Sequence, residues 1–193
     1  MVRSPLIAVL AGGASRRMGR DKPFVRVAGR RMADWVLEAA ESVGEVLVVG
    51  RLGTFLDRPA AVDIVGGRRG PGAGLATALA RARGPVVLVA ADQPWLRPTT
   101  LRALVERFDG RAVVPREDGH FQVTCAIYPP SLARPMTHAA RLGRSIRSVL
   151  ETHEVDLVDD WASWGEDGRS WYSVDTEDAI EHGLAAFGLP GVG

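Results

Sequence analysis

Asparagine is absent from this 193-residue chain, and lysine and cysteine occur once each. The single cysteine, Cys125, can form neither an internal disulfide nor a cysteine-built metal site. Its setting, Val123-Thr124-Cys125-Ala126-Ile127, reads as that of a buried, inert thiol. No apolar run reaches the length of about 18 residues that a membrane-spanning helix needs. Arg3 and the charged stretch beginning at Arg16 bracket an apolar segment too short for a signal peptide, so a cytoplasmic protein without membrane contact is expected. The four histidines show no metal-ligand spacing. No G-x-x-x-x-G-K-[ST] run occurs, which removes a P-loop. Gly70-x-Gly72-x-Gly74 lacks the spacing of the dinucleotide fingerprint, which argues against an NAD enzyme. Repeats and low-complexity segments are missing too.

What is present suffices for a core. With 46% hydrophobic residues, residues 1–193 are expected to fold as one domain, a monomer or weak homo-oligomer. The net charge of +1 hides an asymmetry. Residues 1–33 carry eight basic groups against Asp21, whereas residues 151–193 carry eleven acids against Arg169. One anion-binding edge and one acidic flank follow. The near-neutral total and the lack of a reader motif argue against nucleic acid as a partner.

Strand and helix signals alternate along the chain. Leu6-Ile7-Ala8-Val9-Leu10 and residues 45–50 read as strands around an amphipathic helix over 33–43, and Val62-Asp63-Ile64-Val65 reads as a smaller strand. A helix over 75–81 precedes the run 85–91, which is apolar on both faces and so belongs inside a parallel sheet. A helix over 98–108, strands over 112–115 and 121–128 joined by a hairpin-like spacer, helices over 131–140 and 145–151, an edge strand over 155–158 and a last helix over 176–187 complete the pattern. The expected fold is a three-layer α/β/α domain on a mostly parallel sheet with one antiparallel strand.

In such sheets ligands sit at the carboxyl ends of the strands. Three features of the sequence fall there. After the first strand, Gly12-Gly13 permits a sharp turn whose bare backbone can approach an anion, and Arg16, Arg17, Arg20 and Lys22 surround it with cationic donors. The other reading of this stretch is a strand-to-helix turn with a solvated basic edge. Composition weighs towards the anion: 23 of the 24 basic residues are arginine, and residue 22 alone keeps a compact ammonium. Asp92, ending the 85–91 strand, and Asp175, preceding the last helix, could hold Mg²⁺ beside a polyphosphate or could merely serve the helices that follow them. Trp161, Trp164 and Trp171 could stack a flat ligand or pack a C-terminal loop.

The run L-A-G-G-x-S-x-R-M-G-x-D-K, complete over residues 10–22, resembles the nucleotide-binding signature of the MobA-like NTP transferases, the family of molybdenum cofactor guanylyltransferase. Gly70-Pro71-x-Ala73-Gly74-Leu75 is similar to a second family motif, Asp92-x-Pro94 to the metal-binding strand end, and Val174-Asp175-Thr176-Glu177-Asp178 to the closing motif. The resemblance implies a Rossmann-like nucleotide-diphospho-sugar-transferase fold. It implies nucleotide contacts at Leu10, Ala11, Gly12, Gly13, Lys22, Asp63 and Asp92, Mg²⁺ at Asp92 and Asp175, and catalytic roles for Lys22, Arg17 and Asp92. It further implies transfer of GMP from GTP to the phosphate of molybdopterin, with release of pyrophosphate. Two stretches depart from the pattern. Asp175 stands where guanylyltransferases usually carry Asn, and Gln122-Val123-Thr124 replaces the usual Pro-Leu. Transfer from CTP, another phosphorylated acceptor, and a nucleotide-binding protein without catalysis are the alternatives.

Overall fold

Backbone geometry places the structural elements close to where the hydrophobic periods put them. In the computed structural model, residues 4–12, 21–64 and 70–191 are described. Strand β1 (Leu6–Leu10) leads, beyond residue 12 and a short 3₁₀ turn at Lys22–Phe24, into a small hairpin of β2 (Arg26–Val27) and β3 (Arg30–Arg31), which feeds helix α1 (Met32–Glu41). Then follow β4 (Glu45–Val49), β5 (Thr54–Phe55), β6 (Arg58–Ala61), α2 (Pro71–Arg81), β7 (Val86–Ala90) and α3 (Pro98–Arg107). The chain continues through β8 (Ala112–Glu117), β9 (His120–Phe121), β10 (Cys125–Tyr128), α4 (Ala133–Arg141), α5 (Ile146–Leu150), β11 (Val155–Val158) and α6 (Glu177–Phe187).

The main sheet runs β11-β8-β10-β7-β1-β4-β6-β5, with β9 paired to β8. Strands β7, β1, β4 and β6 are mutually parallel and form its centre and one wing. Strand β10 runs antiparallel to both β7 and β8, and the two-residue strands β5 and β9 are antiparallel additions at the margins. A mostly parallel sheet with an antiparallel insertion is the expected architecture. One apolar layer lies beneath α1 and α3 on one face, centred on Ile7, Val9, Val36, Leu37, Val87, Val89, Leu101 and Leu104. The other lies beneath α2, α4 and α5, centred on Ala8, Leu75, Leu79, Leu88, Met136 and Leu150. Strands β1 and β7, inside the sheet, contribute to both layers in alternation, which is why their sequences are apolar throughout.

Three segments differ from the sequence reading, the first being α2, which opens at Pro71 rather than at Leu75. The small strand expected at 62–65 ends at Ala61 instead, and β6 is the Arg58–Ala61 segment hydrogen-bonded beside Val48 and Val49 of β4. Residues 62–64 leave the sheet with Val62 and Ile64 exposed, and Val65 lies outside the described residues. The strand expected over 121–128 is broken at residues 122–124, where the Cys125 N–H bonds the Gln122 carbonyl and the Val123 N–H the Phe121 carbonyl, so β9 and β10 pair different neighbours. Among the described residues, no helix is long and apolar enough to cross a membrane.

Candidate functional site

The carboxyl ends of β1 and β4 meet backbone to backbone. The Ala11 N–H bonds the Val49 carbonyl at 2.9 Å, continuing the ladder one residue past β1. There Gly12 and Gly50 cross: a Cβ on Gly12 would lie 2.7 Å from the Gly50 Cα, and one on Gly50 would lie 2.5 Å from the Gly12 Cα. Gly50 also has φ of +94°, so glycine is required at both positions for space and at one for conformation. The chain leaves β1 through an approach so close that only bare backbone fits. Gly13, Arg16, Arg17 and Arg20 lie outside the described residues.

When the chain returns at Asp21, the 3₁₀ turn presents Lys22. Its Nζ donates to Asp92 Oδ2 at 2.8 Å and also to Asp175 Oδ1. Burial is the largest influence on the ammonium and pulls its pKa down, yet hydrogen bonds and charge from the two carboxylates outweigh it, so the pKa stands above the ordinary lysine value. Residues 70 and 153 positions away in sequence thus converge on one cation. Asp92 sits just past β7, and the cap position of the following helix belongs to Arg97, so Asp92 does not cap α3. Thr176 caps α6, its hydroxyl accepting the Ala179 N–H at 3.2 Å, which leaves the Asp175 carboxylate to Lys22. Asp175 follows no strand, contrary to expectation: its segment leaves the 3₁₀ turn Arg169–Trp171 and is fixed beside the end of β7 by the Val174 N–H, which bonds the Asp92 carbonyl at 2.9 Å.

The signature around Gly70 acquires a reason in the same corner. Gly70 has φ of +120° and Pro71 opens α2. Gly74, one turn on, packs so closely that a Cβ would lie 2.3 Å from Leu10 Cδ2. The amino end of α2 is therefore pressed against the tip of β1, with the N–H groups of its first turn on the ligand edge of the sheet. Beside it a cavity of about 530 Å³ is lined by Gly72, His120, Phe121, Arg144 and Arg147, among others. Asp63, two residues beyond β6, is half-buried, and its neighbour Ile64 donates its N–H to Thr77 Oγ1 of α2 at 3.0 Å.

Two residues that the sequence reading passed over hold this corner together. Gln93, 1% exposed, accepts the Ala90 N–H at 2.9 Å through Oε1, and its Nε2 donates to Thr124 Oγ1 at 3.1 Å and to the Trp171 carbonyl at 3.5 Å. It joins the end of β7, the start of β10 and the segment leading to Asp175. Arg51, following Gly50, donates from Nε to the Ala11 carbonyl at 2.8 Å and grips the Asp21 carboxylate with its other two nitrogens. Local sequence carries no trace of either role, because each depends on partners dozens of residues away. The other expectations divide plainly. Cys125 is fully buried and burial pushes its thiol pKa far up, as befits an inert packing group. The tryptophans pack rather than await a ligand: Trp161 and Trp171 meet edge to face at 5.2 Å, and their ring N–H groups bond the Arg116 carbonyl and Glu117 Oε2.

Among the described residues no group of three or more His, Cys, Asp or Glu could hold a metal unaided. Asp92 and Asp175 nevertheless form a pair of hard oxygen donors already gathered about a cation, which suits Mg²⁺ completed by phosphate oxygens and water.

A family model described as the MobA-like NTP transferase domain matches residues 7–157. A Natronomonas pharaonis protein named a probable molybdenum cofactor guanylyltransferase is 35% identical over 189 residues, covering 90% of this chain and 93% of its own. The crystal structure of molybdopterin-guanine dinucleotide biosynthesis protein A from Archaeoglobus fulgidus superposes with a TM-score of 0.80 at 26% identity, covering 92% of this chain and 96% of that one. A Mycobacterium tuberculosis protein solved as a complex with manganese shares the fold, with a TM-score of 0.67 at 20% identity over 95% of this chain and 99% of its own.

Proposed function

Since the chain belongs to the MobA-like NTP transferase family, we propose that residues 1–193 form one Mg²⁺-dependent nucleotidyltransferase domain that moves GMP from GTP to the phosphate of molybdopterin in the cytoplasm, releasing pyrophosphate. The observation that carries the reading is the Lys22 ammonium held between Asp92 and Asp175 at the strand ends, beside the glycine crossing. The relatives named for guanylyl transfer supply the base and the acceptor.

The reaction is an in-line displacement. An oxygen of the acceptor phosphate bonds to the α-phosphorus of GTP, and the bond from that phosphorus to the bridging oxygen of the β-phosphate breaks. A phosphate nucleophile is already ionised, so no general base is needed. Mg²⁺, when bound, neutralises charge on the phosphates. Asp92 and Asp175 would hold it, which would free Lys22 for a phosphate oxygen, and Arg17 would add a second cation by family resemblance. Leu10, Ala11, Gly12 and Gly13 supply backbone to the nucleotide, with Asp63 alongside. The cavity bearing His120, Arg144 and Arg147 receives the anionic acceptor. Protein-side catalysis is positioning and charge.

Asp175 in place of the usual Asn favours a second reading, in which CTP is the donor. Thermal shift with each of the four nucleoside triphosphates and Mg²⁺, followed by pyrophosphate release with molybdopterin, tests both. Stabilisation by GTP above the others supports guanylyl transfer, preference for CTP supports the second reading, and no nucleotide response overturns both.

A further inference from the structure

Asp21 is among the residues of the 10–22 signature to which the site gives no purpose. Asp21 is the sole acid among eight basic groups in residues 1–33, and it adjoins Lys22 at the exit of the segment that the proposed reading fills with a polyphosphate. An uncompensated carboxylate there repels the ligand. Arg51 provides the compensation. Two of its nitrogens bond the two Asp21 oxygens at 2.8 and 2.5 Å, the forked geometry that guanidinium and carboxylate favour. Its third, Nε, bonds the Ala11 carbonyl at 2.8 Å. Ala11 precedes and Asp21 follows residues 12–20, so one guanidinium joins the entry of the segment to its exit.

Arg51 is itself held in place. Its backbone follows the Gly50–Gly12 crossing, and its guanidinium carbon stands 5.1 Å from the centroid of the Phe55 ring, a buried aromatic on β5. The side chains of Arg51 and Asp21 are 26% and 42% exposed. A pair so accessible adds little to folding stability. Its geometry matters elsewhere: it sets where Lys22 starts and removes a negative charge from an anion site.

We propose that Arg51 is a positioning residue for nucleotide binding, neutralising Asp21 and tying together the two ends of the 12–20 segment. The inference rests on the nucleotidyltransferase reading. It makes a prediction of sign that a structural role does not. With Arg51 present, Asp21 is useful, because it completes the tie. With Arg51 gone, Asp21 is harmful, because its charge is unopposed.

The test is a double-mutant cycle on the full chain, read as the dissociation constant for GTP with Mg²⁺ by titration calorimetry and as the melting temperature. Arg58→Met, which removes an ion pair with Glu41 of comparable exposure, is the control and should bind GTP as the wild type does. Arg51→Met should weaken binding by about tenfold and Asp21→Asn by less, with melting temperatures close to wild type. Adding Asp21→Asn to Arg51→Met should then tighten binding. The proposal falls if Arg51→Met binds GTP like wild type, if the double variant binds no better than Arg51→Met, or if affinity falls only in step with melting temperature. A wild-type chain that binds none of the four nucleoside triphosphates overturns the nucleotidyltransferase reading itself, whereas normal wild-type binding with an additive cycle overturns the Arg51 assignment alone.

Discussion

Lys22 and Arg107 each sit between two aspartates, the first past the end of the interior strand β7 and the second beside the edge strand β11. Arg107 closes the carboxyl end of α3, where a cation suits the helix dipole, and bonds both oxygens of Asp156 at 2.7 and 3.3 Å and one of Asp160 at 3.3 Å. Lys22 meets Asp92 and Asp175 at the carboxyl ends of the parallel strands. Each cation faces two carboxylates, and the Lys22 side chain is the less exposed, 18% against 35% for Arg107. The chemistry differs. A planar guanidinium matched to carboxylates has spent its donors on them, and nothing else need come. An ammonium is a compact charge of the kind a divalent cation can replace, and its swinging stem can carry it to a phosphate. On the proposed reading, one arrangement is an end state and the other a placeholder.

That contrast can be broken by mutation. Removing either side of the Lys22 centre, with Asp92→Ala or Lys22→Ala, should lower turnover by about 10²- to 10³-fold, the usual loss when one charge-stabilising group is removed, while circular dichroism shows an intact fold. Near-normal turnover in either variant would put the chemistry elsewhere. A subtler change converts one centre into the other. Lys22→Arg keeps the charge but installs a fork that binds both carboxylates, so steady-state rates should fall between wild type and Lys22→Ala, and Mn²⁺ titrated by its paramagnetic resonance should bind the nucleotide complex more weakly. Wild-type rates and Mn²⁺ affinity would show that charge alone matters at residue 22. The smallest effect belongs to the other cation. Arg107→Met should leave turnover unchanged and cost at most about 1 kcal/mol of stability in urea unfolding.

Legibility from sequence followed the range of the interactions. The central strands were readable because burial on both faces leaves residues 86–90 apolar without interruption, and Gly12 and Lys22 because glycine and a lone ammonium are unusual choices whose reason is local. Strand β6 was misplaced because Arg-Pro-Ala-Ala has little β propensity and pairs through backbone alone at the sheet's periphery, while the alternating Val62 and Ile64 imitate a strand and face solvent. Gln93 and Arg51 were invisible for a further reason. A glutamine beside a strand end and an arginine after a glycine look ordinary until folding brings Thr124, Trp171, Ala11 and Asp21 to them. The convergence of Asp92 and Asp175 is likewise tertiary: Asp92 could be placed at a strand end in advance, but Asp175 reaches it from a segment that follows a 3₁₀ turn.

The scarcity of lysine has a practical consequence at the bench. Since Lys22 is the chain's single lysine, it carries the protein's one ε-amino group. Reductive methylation with ¹³C-formaldehyde would therefore give one dimethyl-lysine resonance, separable from the α-amine by its titration range. Without engineering, the protein already offers a place for a spectroscopic reporter where Asp92 and Asp175 meet, one that would test whether a ligand arrives there.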